Sequence, residues 1–146
     1  MDGVTQLVAE LFVAIKLIVG YPIPATLPEI HVLTPAALRQ SLCKGPCGNI
    51  KAYYLPGKGI FISDQLDLQR DVADRSVLLH ELVHHVQELS GKFNQIPGKC
   101  DRWYSRELEA YSAQNQYLRD NAKTVRFLMD SLPNMCGDGQ AFGAQD

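Results

Sequence analysis

The sequence has no surplus of basic residues, since 14 Lys and Arg stand against 16 Asp and Glu and the net charge is -2. A protein that neutralises a phosphate backbone needs such a surplus, so we expect no nucleic acid partner. The sequence also has no long apolar run. Its most apolar stretch, residues 7–19, contains Glu10 and Lys16 and is shorter than the about 20 apolar residues of a bilayer span. We expect no membrane-spanning helix.

Internal repeats and linker-like segments are also absent from the sequence. With 146 residues, 46% of them hydrophobic and 21% charged, the chain has the length and composition of one ordinary globular domain. We therefore predict a single domain over residues 1–136 that functions as a monomer. The Gly-rich residues 137–146 are expected to form a mobile tail.

Apolar periodicity and turn residues predict an α+β fold. It comprises an N-terminal helix, a small β-sheet that includes a hairpin, and a helical core. In chain order, the predicted elements are a helix over 4–19, an extended run over 30–33, a helix that begins at Thr34-Pro35 and ends before Gly45, a hairpin of strands 50–55 and 60–63, a helix from Asp71 or Asp74 through Leu89, and a long helical pattern from near Asp101 to before Pro133.

The run His80-Glu81-Leu82-Val83-His84 lies within the predicted helix that ends at Leu89. At about 100° per residue, His80 and His84 are about 40° apart on one face, so both imidazoles can reach one ion at about 2.0–2.1 Å. Glu81 lies about 100° from His80, where it can hold the metal's water as a general base. The opposite face of this helix is apolar, and His85, at the edge of that face, is expected to hydrogen-bond a neighbouring residue.

A catalytic zinc site usually has three protein ligands and a water, so a third ligand is expected from another element. The second long helical pattern offers Glu107 and Glu109. Glu107 lies in the middle of an apolar and aromatic face, where a carboxylate needs a partner, whereas Glu109 is predicted on the exposed side. The alternative partner of Glu107 is a core arginine, either Arg75 or Arg102.

These residues resemble the gluzincin zinc metallopeptidases, in particular small uncharacterised bacterial zincin-like proteins. In that group H-E-x-x-H and a downstream Glu in an E-x-x-A-like helix bind the ion, and here Glu107 follows His84 by 23 positions. The resemblance covers roughly residues 50–118 and implies a zincin-like fold with Zn²⁺ bound by His80, His84 and Glu107. It also implies hydrolysis of a peptide or protein substrate by the metal-bound water, with Glu81 as general base.

The chain departs from the gluzincin pattern at Tyr111, where many members have an Asp that orients a ligand histidine. Tyr111 is a catalytic candidate, either in that role or in stabilising the oxyanion. Tyr104 and, at a greater distance, His31 are further candidates, and ordinary packing is the alternative for all three. Two other functions stay open: a catalytically inactive zincin-like binding module, and a structural domain with a role unrelated to zinc.

Four cysteines predict two disulfides and therefore an exported, periplasmic or extracellular protein, although no signal peptide is recognised in this sequence. The predicted pairs are Cys43–Cys47 and Cys100–Cys136. One alternative is a second zinc site with four thiolate ligands. The other is free thiols in a cytosolic protein.

The pairing of Cys100 with Cys136 has a geometric consequence for the long helical pattern that separates them. A straight helix over the roughly 30 residues between them would span about 45 Å, whereas bridged Cα atoms lie within about 7 Å. We therefore predict that the chain folds back near Asp120-Asn121 into two antiparallel helices.

Overall fold

The structure, a computed structural model, describes residues 2–42 and 50–121, and its fold is α+β, as predicted. This part of the chain forms four helices and three strands. In chain order they are α1 (Gly3–Ile18), β1 (Ile30–Leu33), α2 (Pro35–Leu42), β2 (Ala52–Leu55), β3 (Gly59–Ser63), α3 (Val72–Ser90) and α4 (Lys99–Asp120).

Helix α3, which carries the H-E-x-x-H motif, has well-defined ends. Of the two aspartates that could start it, Asp71 is the N-cap, and its side chain accepts a hydrogen bond of 3.1 Å from the backbone N–H of Asp74. Gly91, at φ 66°, ends the helix in the left-handed conformation that glycine adopts readily. The predicted bounds of this helix are therefore confirmed, and its register relative to the motif is fixed locally.

The three strands form one sheet in the order β1-β3-β2. The antiparallel pairing of β2 with β3 confirms the predicted hairpin, whereas β1 runs parallel to β3 with Ile30 opposite Ile60. Sequence alone did not predict this second pairing, because a four-residue apolar run does not specify its partner strand. Gly59, at φ +107°, allows the backbone of β3 to approach Glu29, whose carbonyl accepts a hydrogen bond of 2.9 Å from the N–H of Ile60.

Gly59→Ala is expected to destabilise the fold more than Gly57→Ala does. A Cβ at Gly59 would lie 2.3 Å from the carbonyl oxygen of Glu29, so backbone would have to move, whereas a Cβ at Gly57, at φ +78°, would meet nothing within 4 Å. The free energy of unfolding of the Gly57 variant should fall by only about 1–2 kcal/mol, the cost of a left-handed backbone conformation at alanine. Urea denaturation of both variants measures the difference, and equal losses would contradict a tight approach at Gly59.

The hydrophobic core forms around α3, which packs against α4, the sheet and α1. The buried apolar residues of α3 are Val77, Leu78, Leu79, Leu82, Val83 and Val86. Leu89, expected on the same apolar face, is instead 62% exposed, because it lies in the last turn of the helix beyond the core. The buried face of α1 confirms the predicted N-terminal packing helix.

Helix α4 ends at Asp120, beside the predicted fold-back at Asp120-Asn121, and the predicted second antiparallel helix lies outside the described residues. Cys100 lies in the first turn of this helix. Cys43, Cys47 and Cys136 lie outside the described residues, as do the tail and the predicted helix end before Pro133, so both pairings stay predictions.

None of the helices within residues 2–42 and 50–121 combines the length and the apolar character that crossing a membrane requires.

Candidate metal centre

Helices α3 and α4 bring the three predicted metal ligands together. The Nε2 atoms of His80 and His84 are 3.2 Å apart, and Glu107 directs Oε1 to 3.2 Å from His80 Nε2 and Oε2 to 2.5 Å from His84 Nε2. Ligand atoms at 2.0–2.1 Å from a tetrahedral ion lie about 3.3 Å from one another. This spacing matches two of the three contacts, so the cluster has approximately the dimensions of a metal site.

The helix pattern predicts that the histidine face of α3, opposite its apolar face, lines a cleft, and this prediction is wrong because α4 covers that face. The side chains of His80, His84 and Glu107 are all 7% exposed or less. Within the described residues, the two arginines proposed as alternative partners of Glu107 have other contacts: Arg75 donates to the Tyr117 hydroxyl, and Arg102 donates to a backbone carbonyl. The buried carboxylate therefore has the two histidines as its partners.

A hydrogen-bond chain fixes the ring of His80. The hydroxyl of Ser76 donates to the carbonyl of Ala73 at 2.6 Å, so its oxygen is left to accept from Gln114 Nε2 at 3.1 Å. The amide oxygen of Gln114 then faces His80 Nδ1 at 3.0 Å. Because that oxygen can only accept, Nδ1 carries the proton and the Nε2 lone pair of His80 points towards Glu107.

A second chain fixes the ring of His84 in the same way. Gln87 Nε2 donates to the backbone carbonyl of Arg106 and to Glu109 Oε1, both at 3.0 Å, and neither of these atoms can donate in return. The amide oxygen of Gln87 must therefore be the atom that lies 2.9 Å from His84 Nδ1. His84 Nδ1 carries the proton, and its Nε2 lone pair also faces the cluster.

When both imidazoles are neutral, the centre of the cluster is thus a convergence of hydrogen-bond acceptors. Two imidazole lone pairs and a carboxylate then meet there, and in the described part of the chain no hydrogen bond of ordinary geometry reaches Glu107 Oε2, although His84 Nε2 is 2.5 Å away. Burial disfavours charge at His84, but the Glu107 carboxylate outweighs it and raises the pKa of His84 to about 9, so metal-free His84 also carries a proton on Nε2 near pH 7, which a metal ion would displace. Likewise, burial alone would raise the pKa of Glu107, yet His84 and His80 hold it well below its ordinary value. The position stabilises positive charge, and these three residues could hold a metal ion.

Glu81 is a second buried carboxylate beside this cluster. It is 6% exposed, and its Oε1 is fully buried without a hydrogen-bond partner among residues 2–42 and 50–121. Burial raises the pKa of Glu81, and the positive character of His80 and His84 opposes that shift only in part. An unpartnered buried carboxylate is costly, so its retention at this position needs a reason such as a bound water or a reacting group.

Tyr111 packs edge-on against His80, with ring centroids 4.4 Å apart at an interplanar angle of 63°. Burial, together with the charges of Glu107 and Glu81, raises the pKa of its hydroxyl to about 12. The role of orienting His80, open to Tyr111 in the sequence, is filled here by Gln114. Tyr111 therefore stays a candidate for contact with a substrate.

The other candidate side chains have different surroundings. Tyr104 is 36% exposed on α4. His31 contacts the carbonyl of Lys58 at 3.0 Å and stacks on a phenylalanine of the sheet, so its described contacts are not with the cluster. His85 lies 3.3 Å from the hydroxyl of Tyr54, which agrees with its expected role as a boundary histidine.

Glu109 is not the exposed carboxylate that the helix pattern predicted. Its side chain is only 15% exposed, and it accepts hydrogen bonds from Lys92 at 2.5 Å, from Gln87 and from the hydroxyl of Tyr21. The prediction was wrong because Tyr21 and Lys92 come from segments outside α4. The periodicity of one helix cannot show which neighbouring segments cover its face.

Glu109→Ala is therefore expected to destabilise the protein by about 1–3 kcal/mol, because Gln87 and Tyr21 lose a buried acceptor. It should also weaken metal binding, but by less than about 10-fold. A larger loss is expected only for a residue that itself hydrogen-bonds a metal ligand. Chemical denaturation and competition with a metal chelator measure both effects. Glu88→Ala, which removes an exposed carboxylate from α3, is the matched control, and equal behaviour of the two variants would contradict this network.

Sequence reasoning missed Gln87 and Gln114, the two residues that contact the far side of the ligand imidazoles. A signal was present, since Gln87 follows His84 by one helical turn and Gln114 follows Glu107 by two turns on the same face. Glutamine is usually a surface residue, however, and only the packing of α3 on α4 shows that both are buried.

Comparison with protein families matches residues 2–129 to the family described as Domain of unknown function (DUF6647). The matched region includes all the helices and strands described above, and with them every residue of the cluster. No curated protein and no solved structure matches the chain.

Proposed function

The chain belongs to the DUF6647 family, and we propose that it is a zinc-dependent peptidase of the gluzincin type that acts on a peptide or protein substrate. His80, His84 and Glu107 would hold the ion, and Glu81 would be the general base. One observation carries the proposal: the buried Oε1 of Glu81, unpartnered among the described residues, lies on the same helix as two imidazoles that could hold a metal ion, one residue after the first of them.

Zinc suits this set of donor atoms better than a hard cation does. Ca²⁺ and Mg²⁺ prefer oxygen ligands throughout, whereas two imidazole nitrogens and one carboxylate oxygen form a three-ligand set known from zinc hydrolases. The same donor set also binds non-haem Fe²⁺. Glu81 favours zinc, because a carboxylate that directly follows the first histidine of a helical H-E-x-x-H pair is the general base of zinc peptidases.

When bound, zinc would supply Lewis acidity and a water of lowered pKa. Glu81 accepts a proton from the attacking water, whose oxygen adds to the carbonyl carbon of the peptide. Glu81 then transfers that proton to the leaving nitrogen as the C–N bond breaks, which gives a carboxylate and an amine. Tyr111, whose hydroxyl is protonated near pH 7 and whose pKa is raised further to about 12, is the candidate to donate a hydrogen bond to the carbonyl oxygen.

The burial of the cluster favours a second candidate function. With all three ligand side chains 7% exposed or less, a metal ion could be enclosed and stabilise a binding module that has no catalytic activity. The two candidates make the same prediction about metal content and opposite predictions about hydrolysis.

The experiment that tests the proposal combines metal analysis with an activity assay on the full chain. Inductively coupled plasma mass spectrometry should find about one zinc per chain, and cleavage of an unfolded protein should stop with a chelator and return with added zinc. Zinc without cleavage would support the binding module. Iron in place of zinc, or no bound metal, would overturn the proposed function.

A further inference from the structure

We infer that Gln87 and Gln114 are positioning residues of the metal centre, which hold both ligand histidines with the proton on Nδ1 and the lone pair of Nε2 directed at Glu107. This inference rests on the metal site of the proposed function. It assigns to two neutral amides the role that carboxylates have in many gluzincins.

The orientation of each amide is set by the partner of its N–H₂ group, which lies away from the histidine. This partner can accept a hydrogen bond but cannot donate one. For Gln87 that acceptor is the backbone carbonyl of Arg106, and for Gln114 it is the oxygen of Ser76, whose own proton is committed to a carbonyl. A reversed amide would place its carbonyl oxygen against another oxygen at the far end, both for Gln87 and for Gln114. Both glutamines are 2% exposed or less, so water cannot relieve either conflict.

The environment of Gln87 accepts an amide but not a carboxylate. Its Nε2 lies between the carbonyl of Arg106 and the carboxylate of Glu109, and a glutamate would direct a charged oxygen at both. A neutral amide also leaves the ligand imidazole without the added negative charge of a carboxylate partner. The metal would then keep more of its positive charge for polarising a substrate.

Cobalt(II) is a suitable probe, because the ring N–H protons of histidines bound to it give strongly shifted NMR signals. If both histidines bind through Nε2, the parent chain should show two such exchangeable signals, protected by their hydrogen bonds to the glutamines. Gln87→Leu and Gln114→Leu should each broaden or remove a different one of the two. Chelator competition should find cobalt affinity lowered by about 10–100-fold in each variant.

Gln116→Leu is the matched control, since Gln116 is on α4 with Gln114 but bonds to Arg119 and Asp120 at the surface. It should keep both signals and the parent affinity. Unchanged signals and unchanged affinity in the Gln87 and Gln114 variants would overturn the inference while the metal site itself stood. A parent chain that binds neither cobalt nor zinc would overturn both.

Ser76→Ala keeps the test decisive if the leucine variants do not fold. It removes only the hydroxyl that orients the Gln114 amide, and the small change of volume leaves the packing of α3 intact. The His80 signal alone should then exchange faster with solvent, with the His84 signal as internal reference. Equal exchange of both signals in this variant would also overturn the inference.

Discussion

Glu107→Ala is expected to abolish stoichiometric metal binding and with it the stabilisation that zinc gives the fold. Glu107 is the only ligand that α4 contributes to the described cluster, and without it the two remaining ligands, His80 and His84, both come from α3. Loss of a residue that hydrogen-bonds a metal ligand lowers metal affinity by about 10–100-fold, and loss of Glu107 should lower it further. The loss is large because two imidazoles alone do not complete a zinc site.

Thermal melting with and without added zinc measures the effect. A ligand present at 100 times its dissociation constant stabilises the native state by about 2.7 kcal/mol, so the parent should melt several degrees higher with zinc. The Glu107 variant should show no such shift, and Glu88→Ala should keep the shift of the parent. A full zinc-dependent shift in the Glu107 variant would mean that another residue supplies the third ligand.

The part of the centre that sequence predicts is the part that one helix determines. His80, Glu81 and His84 are fixed relative to one another by helical geometry, and the caps at Asp71 and Gly91 are local signals. Glu107 was identified for the same reason, since the apolar character of its own helix face marks it as buried. These positions needed no knowledge of the tertiary structure.

The part that sequence does not predict depends on which elements meet. Glu109 was expected to be exposed because its partners Tyr21 and Lys92 come from other segments of the chain. Gln87 and Gln114 were missed because their contacts cross the interface between α3 and α4. The parallel pairing of β1 with β3 is likewise a tertiary choice that a short apolar run does not encode.

The hydrogen-bond chains also show why α3 and α4 must meet in one register. A shift of one turn between them would separate Gln114 from both Ser76 and His80, and Gln87 from the carbonyl of Arg106. Each broken contact leaves a buried polar group unpaired, which costs about 1–3 kcal/mol. The contacts that orient the ligands therefore also select the helix packing that assembles the site.

Glu81→Gln is expected to remove nearly all peptidase activity while leaving zinc stoichiometry at the level of the parent. The amide has the volume of the carboxylate but cannot take a proton from water, and general base catalysis is worth about 10²–10⁴-fold in rate. Metal binding should persist, because Glu81 is not one of the three residues whose ligand atoms converge. The measurement is the turnover of an unfolded protein substrate together with metal content, for the parent and the variant.

The matched control for Glu81 is Glu88→Gln, which makes the same chemical change at an exposed position of the same helix and should preserve both activity and metal. Loss of zinc in the Glu81 variant would show that this carboxylate is a ligand, and full activity would show that it is not the base. Only inactivity with retained zinc fits a buried carboxylate whose free oxygen accepts the proton of the attacking water.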